Sequence, residues 1–341
     1  MHLHSPHSYP EVLTLIRHLL AIKLEGDRKI NSFCGYTQKS YRVFTARTSN
    51  TWHFMPYANT VLSPVTHLHK QVTGSGNSAS LGLQFVPYLD FSKAFDTVPH
   101  RRLINKLQSL SLDSNIVEWI RQWLSDRQQR VVVNGVYSAQ GLVTSGVPQG
   151  SVLGPILFNI FISDIAEGIN GKVCLFAEDT KICNRVDVPG GISQMTNDLG
   201  KLKKWSELWQ LSFNVDKCKI MHLGRKNPRA EYRIFDTVLT STSEERDLGV
   251  IISEDLRVSS QCNRAAGNAG RMLGCVGRGI SSRKREVLMP LYRALVRPHL
   301  EYCVQYRRPY LQKDIDILER VQRRATKMVY GLKGEKLPGK A

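Results

Sequence analysis

The 341-residue sequence predicts an α+β fold, a small sheet that carries acidic side chains at its strand ends followed by a purely helical region. Three observations carry that expectation. The apolar run Phe85-Val86-Pro87-Tyr88-Leu89 ends in Asp90. The stretch Cys174-Leu175-Phe176-Ala177-Glu178-Asp179-Thr180-Lys181 sets two adjacent carboxylates between apolar runs, the layout of a β-hairpin with acids at its turn. From Ser259 onward the pattern is helical, and no strand is expected.

Residues 1–80 read unlike the rest and end in the flexible run Thr73-Gly74-Ser75-Gly76-Asn77-Ser78, so weak or irregular structure is expected there. A strand then runs into Asp90, although Pro87 lacks a ladder donor and predicts a bulge or shortened pairing beside it. A helix follows from about His100 to Leu110, and a second places Ile116, Val117, Ile120 and Leu124 on one stripe. Gln129 to Asn134 reads as a strand that turns at Asn134-Gly135 and returns toward Val143.

After Ser145-Gly146-Val147-Pro148-Gln149-Gly150 comes a buried helix in which Leu153, Ile156, Leu157, Ile160, Phe161 and Ile165 recur at helical steps. The acidic hairpin is next, then an amphipathic helix near Thr196 to Leu211. A strand pair is expected around Lys219 to Leu223 and Leu248 to Ile252, and three helices after Ser259. In the last of them Ile315, Leu318, Val321, Ala325 and Met328 share one face while Arg320, Arg323, Arg324 and Lys327 crowd another. That basic face is either solvated or in contact with phosphate. Gly267, Gly270, Gly274 and Gly277 weaken the first of these helices by roughly 1 kcal/mol each relative to Ala, and they read either as permitting close packing or as sequence decay.

Lys and Arg number 47 against 29 Asp and Glu, a formal charge of +18, with 42% hydrophobic residues. A folded chain of this charge suits a polyanion, nucleic acid first among them. The seven cysteines are scattered and never spaced Cys-x-x-Cys, which points to a reducing, intracellular compartment and away from a zinc ribbon or disulfide scaffold. Val12 to Ile22, interrupted by Arg17 and His18, is too short to span a bilayer, so no membrane partner is expected. His2, His4 and His7 are metal-capable but sit in a terminus expected to be unstructured.

Asp90 with Glu178 and Asp179 forms a set of carboxylates from two strands that can hold a pair of divalent ions for nucleotidyl transfer. Taken alone, an Asp after a strand is also an ordinary turn former. The Phe91 carbonyl, next to Asp90, can supply a further oxygen. Phe95 is read either as a ring beside the sugar of an incoming nucleotide or as a core residue under a helix. Val147-Pro148-Gln149-Gly150-Ser151 is either a rigid turn whose helix start favours phosphate or a plain turn and N-cap.

In combination these segments resemble the reverse transcriptases of non-LTR retrotransposons, the jockey-like and chicken-repeat-like mobile elements. The matching stretches are Tyr88 to Asp96 (motif A), Gly146 to Pro155 (motif B), Phe176-Ala177-Glu178-Asp179 (motif C), Trp209 to Lys217 (motif D) and Asp247-Leu248-Gly249-Val250 (motif E). Pro298 to Tyr302 and Glu319 to Ala325 look like the family's thumb region. The resemblance implies a right-hand polymerase palm, an antiparallel sheet backed by helices, with a helical thumb and incomplete fingers.

It implies an RNA-directed DNA polymerase that takes an RNA template, a DNA primer and deoxynucleoside triphosphates, with two Mg2+ ions or Mn2+ in their place. Copying at chromosomal targets, the family's habit, implies access to the nucleus. Asp90, Glu178 and Asp179 would be the metal carboxylates, with the Phe91 carbonyl beside them. Phe95 would be the sugar gate, Gln149 a contact to the incoming nucleotide or template, Gly150 a nucleotide contact, and Lys217 a general acid near the pyrophosphate; Lys217 also reads as an exposed lysine after a turn. Arg320, Arg323, Arg324 and Lys327 would contact nucleic acid. The expected domains are an atypical segment at 1–80 in place of fingers, a palm with residual fingers elements at 81–255 and a thumb-like region at 256–341.

The family's motif C has Asp where this chain has Glu178. The extra methylene moves the carboxylate oxygens by about 1 Å or more, and a misplacement of that size costs on the order of 100-fold in rate. With no recognisable fingers sequence in residues 1–80, the expectation is a truncated copy with impaired turnover. The alternative is a catalytically silent basic module that holds RNA or an RNA–DNA hybrid.

Overall fold

The computed structural model describes residues 84–330 apart from 111, 225 and 226. The expectations for residues 1–80, among them the histidines at 2, 4 and 7 and the run from Val12, fall outside the described residues. Two compact units are present: one holds 84–222 and 227–241, the other 223–224 and 242–330.

The first unit is built on a five-stranded sheet. Its strands in chain order are β1 (Gln84–Leu89), β6 (Lys172–Phe176), β7 (Asp179–Arg185), β8 (Lys219–Leu223) and β11 (Thr240–Thr242), and they lie side by side as β11-β8-β1-β7-β6. β7 pairs antiparallel with both β1 and β6. Pro87 interrupts the β1–β7 ladder without a bulge. Gln84↔Arg185 and Phe85↔Asn184 before the gap, and Tyr88↔Lys181 and Leu89↔Thr180 after it, keep one register. The missing donor shortens the pairing, and strands on either side of β1 hold it in line.

One face of the sheet buries Phe85, Leu89, Ile182 and Ile220 against helices. Those helices are α1 (Ala94–Thr97), α2 (His100–Ser109), α3 (Ser114–Leu124), α4 (Leu153–Phe161) and α5 (Gly191–Trp209). The apolar stripes predicted for α3 and α4 are the ones that pack, through Val117, Ile120 and Leu124 and through Leu153, Leu157 and Phe161. Asp113 caps α3, its carboxylate accepting from Asn115 N at 2.8 Å. α5 begins five residues earlier than expected because Gly190, at φ 76, starts it where a side chain would be strained.

A lysine ties three of these helices together. Lys106 of α2 is buried, with Nζ 2.6 Å from Asp164 Oδ1, 2.5 Å from the Phe161 carbonyl and 4.0 Å from the centroid of Trp209. Trp205 Nε1 donates to the same Asp164 oxygen at 2.7 Å. Burial lowers the Lys106 pKa, and the Asp164 carboxylate opposes that shift.

The Asn134-Gly135 hairpin forms as expected. β3 (Val132–Val133) pairs with β4 (Val136–Tyr137) and β2 (Gln128–Gln129) with β5 (Gly141–Leu142), with φ 49 at Asn134 and φ 80 at Gly135. Its valines are exposed.

The second unit opens with the hairpin β12 (Glu244–Asp247) and β13 (Val250–Ser253). This corrects the expected pairing of 219–223 with 248–252. Leu248 and Gly249 both take positive φ, so the chain reverses there and β13 pairs with β12, while β8 joins the sheet of the first unit. The helices are α6 (Ser259–Gly279), α7 (Arg285–Leu291), a π-helical turn Tyr292–Val296, α8 (Arg297–Glu301), α9 (Val304–Arg307) and α10 (Gln312–Met328). Ala266, Ala269 and Leu273 of α6 pack on Val296, Leu300 and Val321. Gly277 faces α10, where a Cβ would lie 3.1 Å from the Met328 methyl, whereas Gly267 and Gly270 face nothing within 4 Å. Among the described residues no helix is long and apolar enough to cross a membrane, and the six cysteines form no disulfide.

Candidate active site

β1 ends at Leu89, paired with Thr180 of β7, so Asp90 and Asp179 are the residues next to the last pair of that ladder. On the other side of β7, Phe176 pairs with Asp179 and leaves Ala177 and Glu178 as a two-residue turn. Ala177 adopts φ 48, a left-handed conformation that costs a residue with a Cβ about 1 kcal/mol. The acidic hairpin therefore forms as the sequence predicted, with Glu178 in its turn and Asp179 opening β7.

The segment after α5 folds back over β1. Ser92 N donates to Ser212 O at 2.8 Å and Asn214 N to Asp90 O at 2.8 Å, around an isolated antiparallel bridge between Phe91 and Phe213. The two rings stack with centroids 4.4 Å apart, and the Phe91 carbonyl takes no part in the bridge. A turn in which Lys217 N donates to Asn214 O then brings Lys217 to the rim. Its Nζ stands 3.1 Å from Asp90 Oδ2, the lysine side chain largely exposed and the aspartate mostly covered.

Phe95 is half-buried and stacks on Phe158 of α4 at 4.4 Å, so it does pack under a helix. The turn before α4 is seated on α1. Gly146 N donates to Val98 O at 2.8 Å, Val147 N to Phe95 O at 2.7 Å and Gln149 Nε2 to Asp96 Oδ1 at 3.0 Å. Ser151 Oγ accepts from Gly154 N at 2.9 Å, in the first turn of α4, whose N-cap position, Val152, makes no side-chain cap bond. Gly150 has φ 79 and open space around it.

Lys217 is thus brought to Asp90, and Glu178 and Asp179 stand at the β6–β7 turn, next to the last β1–β7 pair. Phe95, Gln149 and Gly150 belong to the adjoining seat of α4. Among the described residues no three His, Cys, Asp or Glu side chains gather into a group able to hold a metal ion. The donors at the rim are oxygens of the kind a hard divalent cation takes, and Asp90 and Asp179 fit such an ion in chemistry. Arg320, Arg323, Arg324 and Lys327 are all exposed on α10 of the second unit, where Arg323 is paired with Glu319 at 2.7 Å.

Asp96 and His100 escaped the sequence reading. Asp96 lies inside the quoted motif A but has no turn or metal signal of its own, and the His100 contact to Gly146 O at 2.7 Å spans 46 residues. Gly146 was the available hint, since its φ of 90 marks a backbone that must come close to something.

The sequence model of a family described as reverse transcriptase (RNA-dependent DNA polymerase) matches residues 32–262. Curated relatives include an RNA-directed DNA polymerase from the mobile element jockey of Drosophila funebris, 26% identical over 232 residues, covering 64% of this chain and 25% of the relative. A probable RNA-directed DNA polymerase from the transposon X-element of Drosophila melanogaster is 24% identical over 258 residues, covering 72% and 28%. The chain thus spans about a quarter of the length of these relatives. Among solved structures, telomerase from Candida albicans in complex with a fragment of telomeric RNA aligns with a TM-score of 0.49 at 13% identity, covering 96% of this chain and 57% of that one.

Proposed function

Because this chain belongs to the reverse transcriptase (RNA-dependent DNA polymerase) family, we propose that its first unit is the palm of an RNA-directed DNA polymerase. It would extend a DNA primer on an RNA template with deoxynucleoside triphosphates. The observation that supports the proposal is that the segment after α5 folds back on the end of β1 and brings Lys217 Nζ to 3.1 Å from Asp90 Oδ2, next to the last β1–β7 pair, Leu89 with Thr180.

In the reaction the primer 3′ oxygen bonds to the α-phosphorus and pyrophosphate leaves. Asp90 and Asp179, with Glu178 and the Phe91 carbonyl as further oxygen donors, are the groups that would hold a pair of Mg2+ ions, or Mn2+. Such ions, when bound, stabilise the attacking and leaving oxygens. Lys217 holds a proton at Nζ that it can pass to the leaving pyrophosphate. Phe95, stacked on Phe158, presents a rigid ring at the sugar position and excludes a 2′ hydroxyl. Gln149 and Gly150 contact the nucleotide from the α4 turn, and the exposed Arg320, Arg323, Arg324 and Lys327 bind phosphates of the template and primer.

Glu178 makes this palm a slow one, because it carries one methylene more than the Asp of the resembled motif C, and a misplacement of about 1 Å costs on the order of 100-fold in rate. The test is extension of a labelled DNA primer on an RNA template with deoxynucleotides and Mg2+ or Mn2+. Weak extension, stopped by dideoxynucleotides, is expected. Retention of template and primer with no incorporation under either ion would instead describe a silent binding module.

A further inference from the structure

Gln149 is held as well as placed. Its Nε2 donates to Asp96 Oδ1 at 3.0 Å across 53 residues of sequence. The contact sits within a set that fixes the two segments against each other: Ser145 Oγ donates to Asp96 O at 2.9 Å, Gly146 N to Val98 O at 2.8 Å and Val147 N to Phe95 O at 2.7 Å. The Gly146 carbonyl meets His100 Nε2 at 2.7 Å. A Cβ on Gly146 would lie 2.7 Å from Asp96 Cα, so the glycine sets the spacing between the two backbones. Chemistry then fixes the amide. A carboxylate accepts and does not donate, so the Gln149 nitrogen turns toward Asp96 and Oε1 turns away from it.

We infer that Asp96 is a positioning residue, which orients Gln149 so that its Oε1 is presented to the ligand and selects a hydrogen-bond donor there. The inference rests on the polymerase reading above and deepens it. The donor belongs either to the sugar of the incoming nucleotide, as a hydroxyl, or to a template base, as an amino group. Asp96 touches neither; it acts through Gln149.

The first test needs no ligand. In 15N–1H spectra of the full chain, the Gln149 side-chain amide is assigned by its loss in Gln149→Ala. Its resonances are expected to move to those of a solvent-exposed amide in Asp96→Ala, and to stay near their wild-type positions in Asp96→Asn, which keeps an accepting oxygen. Thermal melts of each variant show that the fold is intact. An amide signal unmoved by Asp96→Ala overturns the inference.

The second test measures nucleotide dissociation constants on an RNA template whose DNA primer ends in a dideoxynucleotide, so that no bond forms. A sugar donor predicts that deoxynucleotides bind about 2- to 10-fold tighter than dideoxynucleotides, one hydrogen bond's worth. A template donor predicts the same preference for guanine over inosine. Asp96→Ala and Gln149→Ala should each erase the preference, and the double variant should lose nothing more. A preference that survives Asp96→Ala but not Gln149→Ala overturns the inference. A wild-type chain that binds no nucleotide, with the Asp96-dependent amide signal present, defeats the polymerase reading and reduces Asp96 to a structural clamp, which also overturns the selective role.

Discussion

Lys217 Nζ stands 3.1 Å from Oδ2 of Asp90, so the ammonium already neutralises the carboxylate that a divalent cation would use. The lysine is largely exposed and the pair is screened, which limits its worth to about 0.2–1 kcal/mol. Removing the ammonium should therefore tighten Mn2+ binding by about 1.5- to 5-fold. Mn2+ titration of wild type and Lys217→Met by electron paramagnetic resonance reads this directly. Nucleotide incorporation should fall in the same variant if Lys217 is the proposed proton donor to pyrophosphate.

Glu178 occupies the turn between Phe176 and Asp179, one residue from the strand that faces Asp90. Shortening it by a methylene gives it the length of the Asp that motif C carries in the reverse transcriptases the sequence resembles. Glu178→Asp is expected to raise incorporation on the order of 10- to 100-fold, the scale of a 1 Å correction in placement. Single-nucleotide incorporation rates on an RNA template check it.

Gly146 and Gly150 both take positive φ, but only Gly146 is crowded. A Cβ there meets the Asp96 backbone at 2.7 Å, while at Gly150 it meets nothing within 4 Å. Gly146→Ala should cost about 2–5 kcal/mol, strain and overpacking together. Gly150→Ala should cost only about 1–2 kcal/mol of left-handed strain. Urea unfolding midpoints of the two variants give the comparison.

Lys106 is buried with Asp164 among Phe161, Trp205 and Trp209, and burial holds its pKa below the ordinary lysine value. Its folded pKa lies below its unfolded one, so between the two the unfolded chain binds more protons and stability rises with pH. The difference in unfolding free energy between wild type and Lys106→Met should therefore move in favour of wild type as pH climbs toward 10.5, the ordinary lysine value. Lys106→Ala should cost about 3 kcal/mol at neutral pH by leaving Asp164 without its cation.

What the sequence made legible was what local pattern encodes. Apolar stripes at 117, 120 and 124 and at 153, 157 and 161 gave α3 and α4, and the acids between two apolar runs gave the β6–β7 hairpin. Partnership across long separations was not legible. Lys106 looks like any surface lysine until α4 and α5 fold over it, and β13 looked like a partner for β8 until the Leu248-Gly249 turn paired it with β12. The same holds at the site. The acids and Lys217 could be picked out from motifs, whereas Asp96 against Gln149 is visible only once α1 and the turn before α4 are in contact.

The most direct test of the account is incorporation of one deoxynucleotide onto a DNA primer paired with RNA, in Mn2+, by wild type and Asp90→Asn. Slow, template-directed incorporation by wild type that falls at least 100-fold in Asp90→Asn is the predicted result, on the scale set by losing a group that stabilises charge in the transition state. Incorporation that is unchanged in Asp90→Asn, or absent from wild type and from Glu178→Asp alike, would contradict it.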